Sequence, residues 1–175
     1  MSGLQVVFFP DSRLKKKSVD VKEEEFGEEL QKHMENMVSK MYELGGVGLA
    51  GVQVGDLRNI LVYNSNRSEA PGYIVNPKIT AYSEEMFDMN EGCLSFPGLE
   101  VGISRPETVV IEYRTPMGDP VTQEFKGVNS VIVQHEMDHL HGKSILDFLS
   151  RLKKDIYLRK IKKVKRKIKK MLAQQ

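Results

Sequence analysis

The 175-residue sequence predicts an α+β fold built on antiparallel sheets. Two observations carry that prediction. Runs of β-branched and aromatic residues come consecutively between helical segments, without the regular βα alternation of a parallel sheet. The flanking segments carry apolar residues at three- and four-residue steps, the spacing of an amphipathic helix. The length suits one domain with a real core and is short for two.

Taken in order, residues 21–44 ("VKEEEFGEELQKHMENMVSKMYEL") predict the first helix, with Phe26, Leu30, Met34, Met37 and Met41 as its buried stripe. His33 falls on the polar side, and glycines at 45, 46 and 48 end the helix. Strands are expected at 59–64 ("NILVYN"), 73–77 ("YIVNP") and 108–115 ("TVVIEYRT"). "PMGDP" (116–120) reads as a turn into a further strand, "VTQEF". "VNSVIVQHEMDHLH" is helical again, and the chain closes on one helix from Phe148 onward. In that last helix Leu149, Leu152, Ile156, Ile161, Val164 and Ile168 form a narrow apolar stripe amid lysines. The expected division is a main domain over 1–147 with residues 148–175 appended as a basic helix.

Composition excludes several classes. With 40% hydrophobic and 29% charged residues and no long apolar run, no transmembrane helix is expected. The start, "MSGLQVVFFPDSR", lacks the basic and apolar regions of a secretion signal. The single cysteine, Cys93, excludes an internal disulfide and fits a reducing, cytoplasmic setting. The net charge of +2 hides an asymmetry: residues 151–175 carry +11 and the remainder −9. A basic tail on an acidic body points to a polyanionic partner.

The chemistry concentrates in "HEMDH" (135–139). In HExxH, two histidines one helical turn apart can reach one metal ion, and the glutamate beside the first can take a proton from water. Alone, the pentapeptide also arises by chance on solvated helices. Here positions 128, 132, 135, 136 and 139 share an arc of roughly 100°, so Val128 and Ile132 form an apolar floor beside His135, Glu136 and His139. Asp138 and His141 point elsewhere. Zinc proteases commonly draw their third ligand from downstream, as a His or a Glu. Ile145 occupies the place of that His, and no Glu follows Glu136. The third ligand is therefore expected upstream, where Cys93 in "NEGCLSFPG" is the candidate. A thiolate with two imidazoles suits zinc or another late divalent metal.

Three motifs in order, "GVGLAGVQ" (46–53), "EGCLS" (91–95) and "HEMDH", together with the opening "PDSRLKKKSVDV", resemble the peptide deformylase family over about residues 1–150. The resemblance implies antiparallel sheets packed around a central HExxH helix, and hydrolysis of the N-formyl group from the formyl-methionine of nascent polypeptides. It implies one divalent metal on Cys93, His135 and His139, Fe²⁺ in the cell, with Zn²⁺, Ni²⁺ or Co²⁺ able to substitute. It implies Glu136 as general base and then acid, and Gln53 with the backbone N–H of Leu94 as oxyanion donors. Val47, Gly48, Met89, Val128 and Ile132 are the implied contacts for the methionine, and Glu91 with Arg105 an implied brace behind the metal. A basic C-terminal helix implies ribosome binding; the protein is otherwise expected to act as a monomer away from membranes. Three positions depart from the family pattern: Gly51 replaces the second Ala of the first motif, Glu100 stands where many members carry Arg, and Asp20 stands where a proline is common. The rival readings are a zinc endopeptidase and a non-enzymatic RNA-binding module with a structural metal. The absent downstream ligand disfavours the first, and the absent second cysteine the other, because structural zinc sites are closed by four protein ligands.

Overall fold

A computed structural model describes residues 3–172 of the protein, with side chains to residue 163. A five-stranded antiparallel sheet contains β1 (Gly48–Ala50), β2 (Ile60–Tyr63), β3 (Gly72–Tyr82), β6 (Thr108–Arg114) and β7 (Pro120–Lys126), in the spatial order β1-β2-β3-β6-β7. Between β3 and β6 the chain makes a separate hairpin, β4 (Met86–Gly92) with β5 (Glu100–Pro106). Helix α1 spans Glu28–Glu43, α2 spans Val128–Leu140 and α3 spans Arg151–Leu172. The α+β class and the antiparallel sheets are as the sequence predicts.

The first helix starts later than expected. Gly27 takes φ +133, a conformation that L side chains rarely adopt, and the acidic run before it forms a short 3-10 turn at Glu23–Glu25. Leu30, Met34, Met37 and Met41 are essentially fully buried against Leu49, Ile60 and Val62. Burying each such side chain contributes about 1.5–3 kcal/mol before the entropy of ordering is deducted. On the other side of β1 and β2, Val133, Met137 and Leu140 of α2 pack with Val109, Ile111 and Phe125. Helix α2 thus lies against the sheet, with its histidines carried between buried layers.

A third cluster joins the chain ends to the hairpin. Val7, Leu14, Phe96, Val101, Ile103, Ile145, Leu146 and Tyr157 are its buried members, with Leu149 and Ile161 packed against it. This corrects the expected stripe of the last helix. Tyr157 and Ile161 dock, whereas Leu152 and Ile156 are 70% and 57% exposed; Val164 and Ile168 lie outside the described side chains. The reason is angular: Tyr157 and Ile161 are one turn apart, and the 152–156 row lies on a different side of the cylinder.

The unexpected Gly51 has a packing role. A Cβ there would lie 2.9 Å from the Asp56 carbonyl oxygen and 3.0 Å from both the Arg58 carbonyl oxygen and Ile60 Cγ1. The 56–58 loop is already tied to this point, since the Asp56 N–H donates to the Gly51 carbonyl at 3.0 Å. Gly51→Ala, although it would restore the family residue, should overpack the site by about 1–3 kcal/mol. Thermal unfolding should then fall by about 2–12 °C for a chain of this size. An unchanged midpoint would mean that the loop yields freely.

Candidate metal centre and active site

Helix α2 presents His135, Glu136 and His139, respectively 7%, 4% and 0% exposed. The turn after β4 brings Cys93 to them. Its Sγ lies 3.1 Å from His139 Nε2, and the ligand atoms of Cys93, His135 and His139 all fall within 4.8 Å of one another. One thiol and two imidazoles this close form a donor set suited to a single late divalent ion, whose bonds run about 2.0–2.3 Å. Glu136 Oε2 is buried beside this triangle with no partner among the described residues, as expected of a group whose partner is an exogenous molecule.

Behind the triangle, His135 Nδ1 donates to Glu91 Oε2 at 2.7 Å. Arg105 grips the same carboxylate through Nε (2.5 Å) and Nη2 (2.9 Å) and reaches Asp138 Oδ2 through Nη1 (2.9 Å). With Nδ1–H fixed on Glu91, His135 Nε2 is left as the lone-pair donor. Burial alone would raise the Glu91 carboxyl, but hydrogen bonds from His135 and Arg105 outweigh it and hold it below its usual range. Burial opposes charge on His135, yet Cys93 and Glu91 together lift its pKa well above the ordinary value, so a metal ion binding at Nε2 would displace a proton. At His139, burial and then the neighbouring His135 and Arg105 drive the pKa well down, leaving a neutral imidazole. Burial pushes the Glu136 carboxyl up to about 7. A carboxyl so placed can both take and return a proton near neutral pH.

The first motif shapes the opposite wall. Gln53, 1% exposed, accepts the Ala50 N–H through Oε1 at 2.8 Å. Because a backbone N–H can only donate, this fixes the amide's orientation and turns Nε2 toward Cys93 Sγ (3.5 Å) and Ser95 Oγ (3.2 Å). Gly48 is needed for close approach: a Cβ there would sit 2.4 Å from Glu136 Oε1.

A depression of about 390 Å³ opens over this group, and Val47, Gly48, Gln53, Cys93, Leu94, His135 and Glu136 line it. His139 is buried behind it. The other expected methionine contacts do not line it. Ile132 is 5% exposed beneath the helix surface, and Val128, in the first turn of α2, is 43% exposed. Met89 pairs with Ile103 across the hairpin and lines a separate hollow with Asp88 and Ser104. Asp138 points away from the ligand triangle, as the sequence reading has it. There it holds Arg105, a contact set by β5 and invisible to helical spacing. Ser95 was also missed, although it closes the second motif.

Comparison with known proteins agrees with this geometry. A sequence profile of the family described as polypeptide deformylase matches residues 4–155. A peptide deformylase of Rickettsia akari is 43% identical over 178 residues, covering 96% of this chain and 99% of that one. One from a Caulobacter species is 46% identical over 136 residues, covering 76% and 79%. The crystal structure of the Ehrlichia chaffeensis peptide deformylase in complex with actinonin superposes with a TM-score of 0.88 at 36% identity, covering 95% and 99%. That of the Legionella pneumophila enzyme gives 0.85 at 34%, covering 93% and 95%. The chain belongs to the polypeptide deformylase family, whose metal-dependent reaction hydrolyses the N-formyl group from the formyl-methionine of nascent polypeptides and releases formate.

Proposed function

We propose that Cys93, His135 and His139 hold one divalent metal, Fe²⁺ in the cell, and that Glu136, Gln53 and the Leu94 N–H carry out deformylation beside it. The observation that supports this most directly is the convergence of three ligand atoms from two chain segments next to the unpaired carboxylate oxygen of Glu136. The metal, when bound, supplies Lewis acidity, acidifying water and polarising a carbonyl. Glu136 accepts a proton from the attacking water as its oxygen bonds to the formyl carbon. Charge builds on the formyl oxygen, where the Gln53 amide and the Leu94 N–H donate hydrogen bonds. The carbon–nitrogen bond then breaks, Glu136 returns its proton to the departing amine, and formate leaves. Val47 and Gly48, which line the depression, receive the methionine side chain, whereas Met89, Val128 and Ile132 lie outside its lining. Glu91 and Arg105 keep His135 oriented from behind. Formate release from a formyl-Met tripeptide under anaerobic conditions tests this reading. Cleavage of internal peptide bonds without formate release would favour an endopeptidase instead.

The enzyme acts as a cytoplasmic monomer whose basic C-terminal helix meets the ribosome, with residues 1–147 as the catalytic part and 148–175 as the appendage. The charge asymmetry supports the ribosome contact, and no helix among the described residues is long and apolar enough to cross a membrane. Because Tyr157 and Ile161 pack on the body, a clean test cuts after Lys163. That removes +5 of charge. The shortened enzyme should deformylate short peptides at the full-length rate and bind ribosomes more weakly. Its loss of binding with added salt should be less steep, since fewer lysines displace counterions from phosphate. Equal ribosome binding at low salt would remove residues 164–175 from this role.

A further inference from the structure

The two histidines of the centre are held in different ways. Metal-binding imidazoles usually donate their second nitrogen to an acceptor, which sets the ring's orientation. His135 does so, to Glu91. His139 does not: its Nδ1 is buried with no hydrogen-bond partner among the described residues. Its ring is instead fixed by packing. The edge of His135 meets it at 5.1 Å and 70°, and the face of Phe96 stacks on it at 6.4 Å and 19°. Phe96 stacks in turn on Phe9, at 5.2 Å and 25°. Phe9 is pinned to the Cys93 loop, its N–H donating to the Ser95 carbonyl at 2.9 Å, and its ring meets Tyr157 of α3 at 6.2 Å. Tyr157 is 5% exposed while its neighbour Ile156 is 57% exposed, so it is this ring that carries α3 onto the stack.

We propose that Phe96 and Tyr157 are positioning residues for His139, and that the first turns of the C-terminal helix, although outside the catalytic part, brace the metal centre through the ring series Tyr157–Phe9–Phe96. This rests on the reading of His139 as a ligand. A hydrogen bond restrains an imidazole ring at one atom and in one direction; a stacked neighbour restrains its plane and works only while the neighbour is itself supported. Close packing transmits that requirement outward. Phe96 has Phe9 behind it, and Phe9 has Tyr157. A segment that sequence assigns to partner binding is therefore also the outer wall of the site, which accounts for an aromatic residue buried in an otherwise basic helix.

The test is zinc affinity, measured by chelator competition on the full-length protein, together with thermal unfolding of each metal-free form. Phe96→Leu keeps apolar volume but loses the stack, and should weaken zinc binding about tenfold, within the range seen when a ligand's support is removed. Tyr157→Leu should weaken it about three- to tenfold. Tyr157→Phe keeps the ring and should bind as the wild type does. Ile161→Ala loosens the same helix without touching a ring; it should lower the metal-free unfolding temperature and leave zinc affinity unchanged. Wild-type affinity in both Phe96→Leu and Tyr157→Leu would overturn the proposal. So would a loss in Ile161→Ala equal to that in Tyr157→Leu, because general loosening would then suffice. His139→Ala separates this from the underlying reading: if it binds zinc as tightly as the wild type, His139 is not a ligand and the ligand assignment itself fails.

Discussion

Glu136→Gln is expected to lower turnover by roughly 10²–10⁴ while leaving the metal in place. The carboxylate is 4% exposed, its Oε2 has no partner among the described residues, and Gly48 has no Cβ that would crowd Oε1. Glutamine fills the same space, so neither the helix nor the ligand triangle needs to move. On the proposed mechanism, what is lost is the ability to accept a proton from water and return it to the amine. Of the other titratable side chains lining the depression, Cys93 and His135 are the proposed metal ligands and the Glu100 carboxylate is exposed to solvent, while Gln53 does not titrate. The measurement is formate release per metal-loaded chain, with metal content determined on the same sample. Near-normal turnover at full occupancy would remove Glu136 from the base role.

Cys93→Ala should be the more damaging change for the metal. It deletes the only thiol of the sequence and leaves two imidazoles, of which His139 has nothing but packing to hold it. Loss of a direct ligand should exceed the about 10–100-fold weakening that follows loss of a ligand's support. The same change uncouples metal from stability. A ligand that binds only the folded chain raises the unfolding midpoint with its concentration. Added metal should therefore stabilise the wild type and have little effect on the variant. Full occupancy with unchanged affinity in Cys93→Ala would show that the third ligand lies elsewhere.

Much of this site was legible because its residues are dictated by local spacing. His135, Glu136 and His139 follow from helical geometry, and Cys93 follows from elimination once no downstream ligand is found. The strands at 60–63, 108–114 and 120–126 carry their own β-branched runs. The β4–β5 hairpin was not legible: its inward row, Phe87, Met89 and Glu91, ends in a carboxylate that serves His135, and so breaks the apolar alternation that marks a strand. β1 is three residues long and has no period to read. Asp138 could be placed off the metal face but not opposite Arg105, because that contact joins residues 33 apart. Tyr157 was hidden for a similar reason. Within its helix it is one aromatic among lysines, and only the fold brings Phe9 and Phe96 beneath it.

The most direct test of one metal held by Cys93, His135 and His139 is a titration of the metal-free protein with Fe²⁺ under anaerobic conditions, following formate release from a formyl-Met peptide. Activity should rise linearly and stop at one equivalent per chain, and a chelator should abolish it. Formate release without added metal, or a plateau at two equivalents, would contradict the assignment.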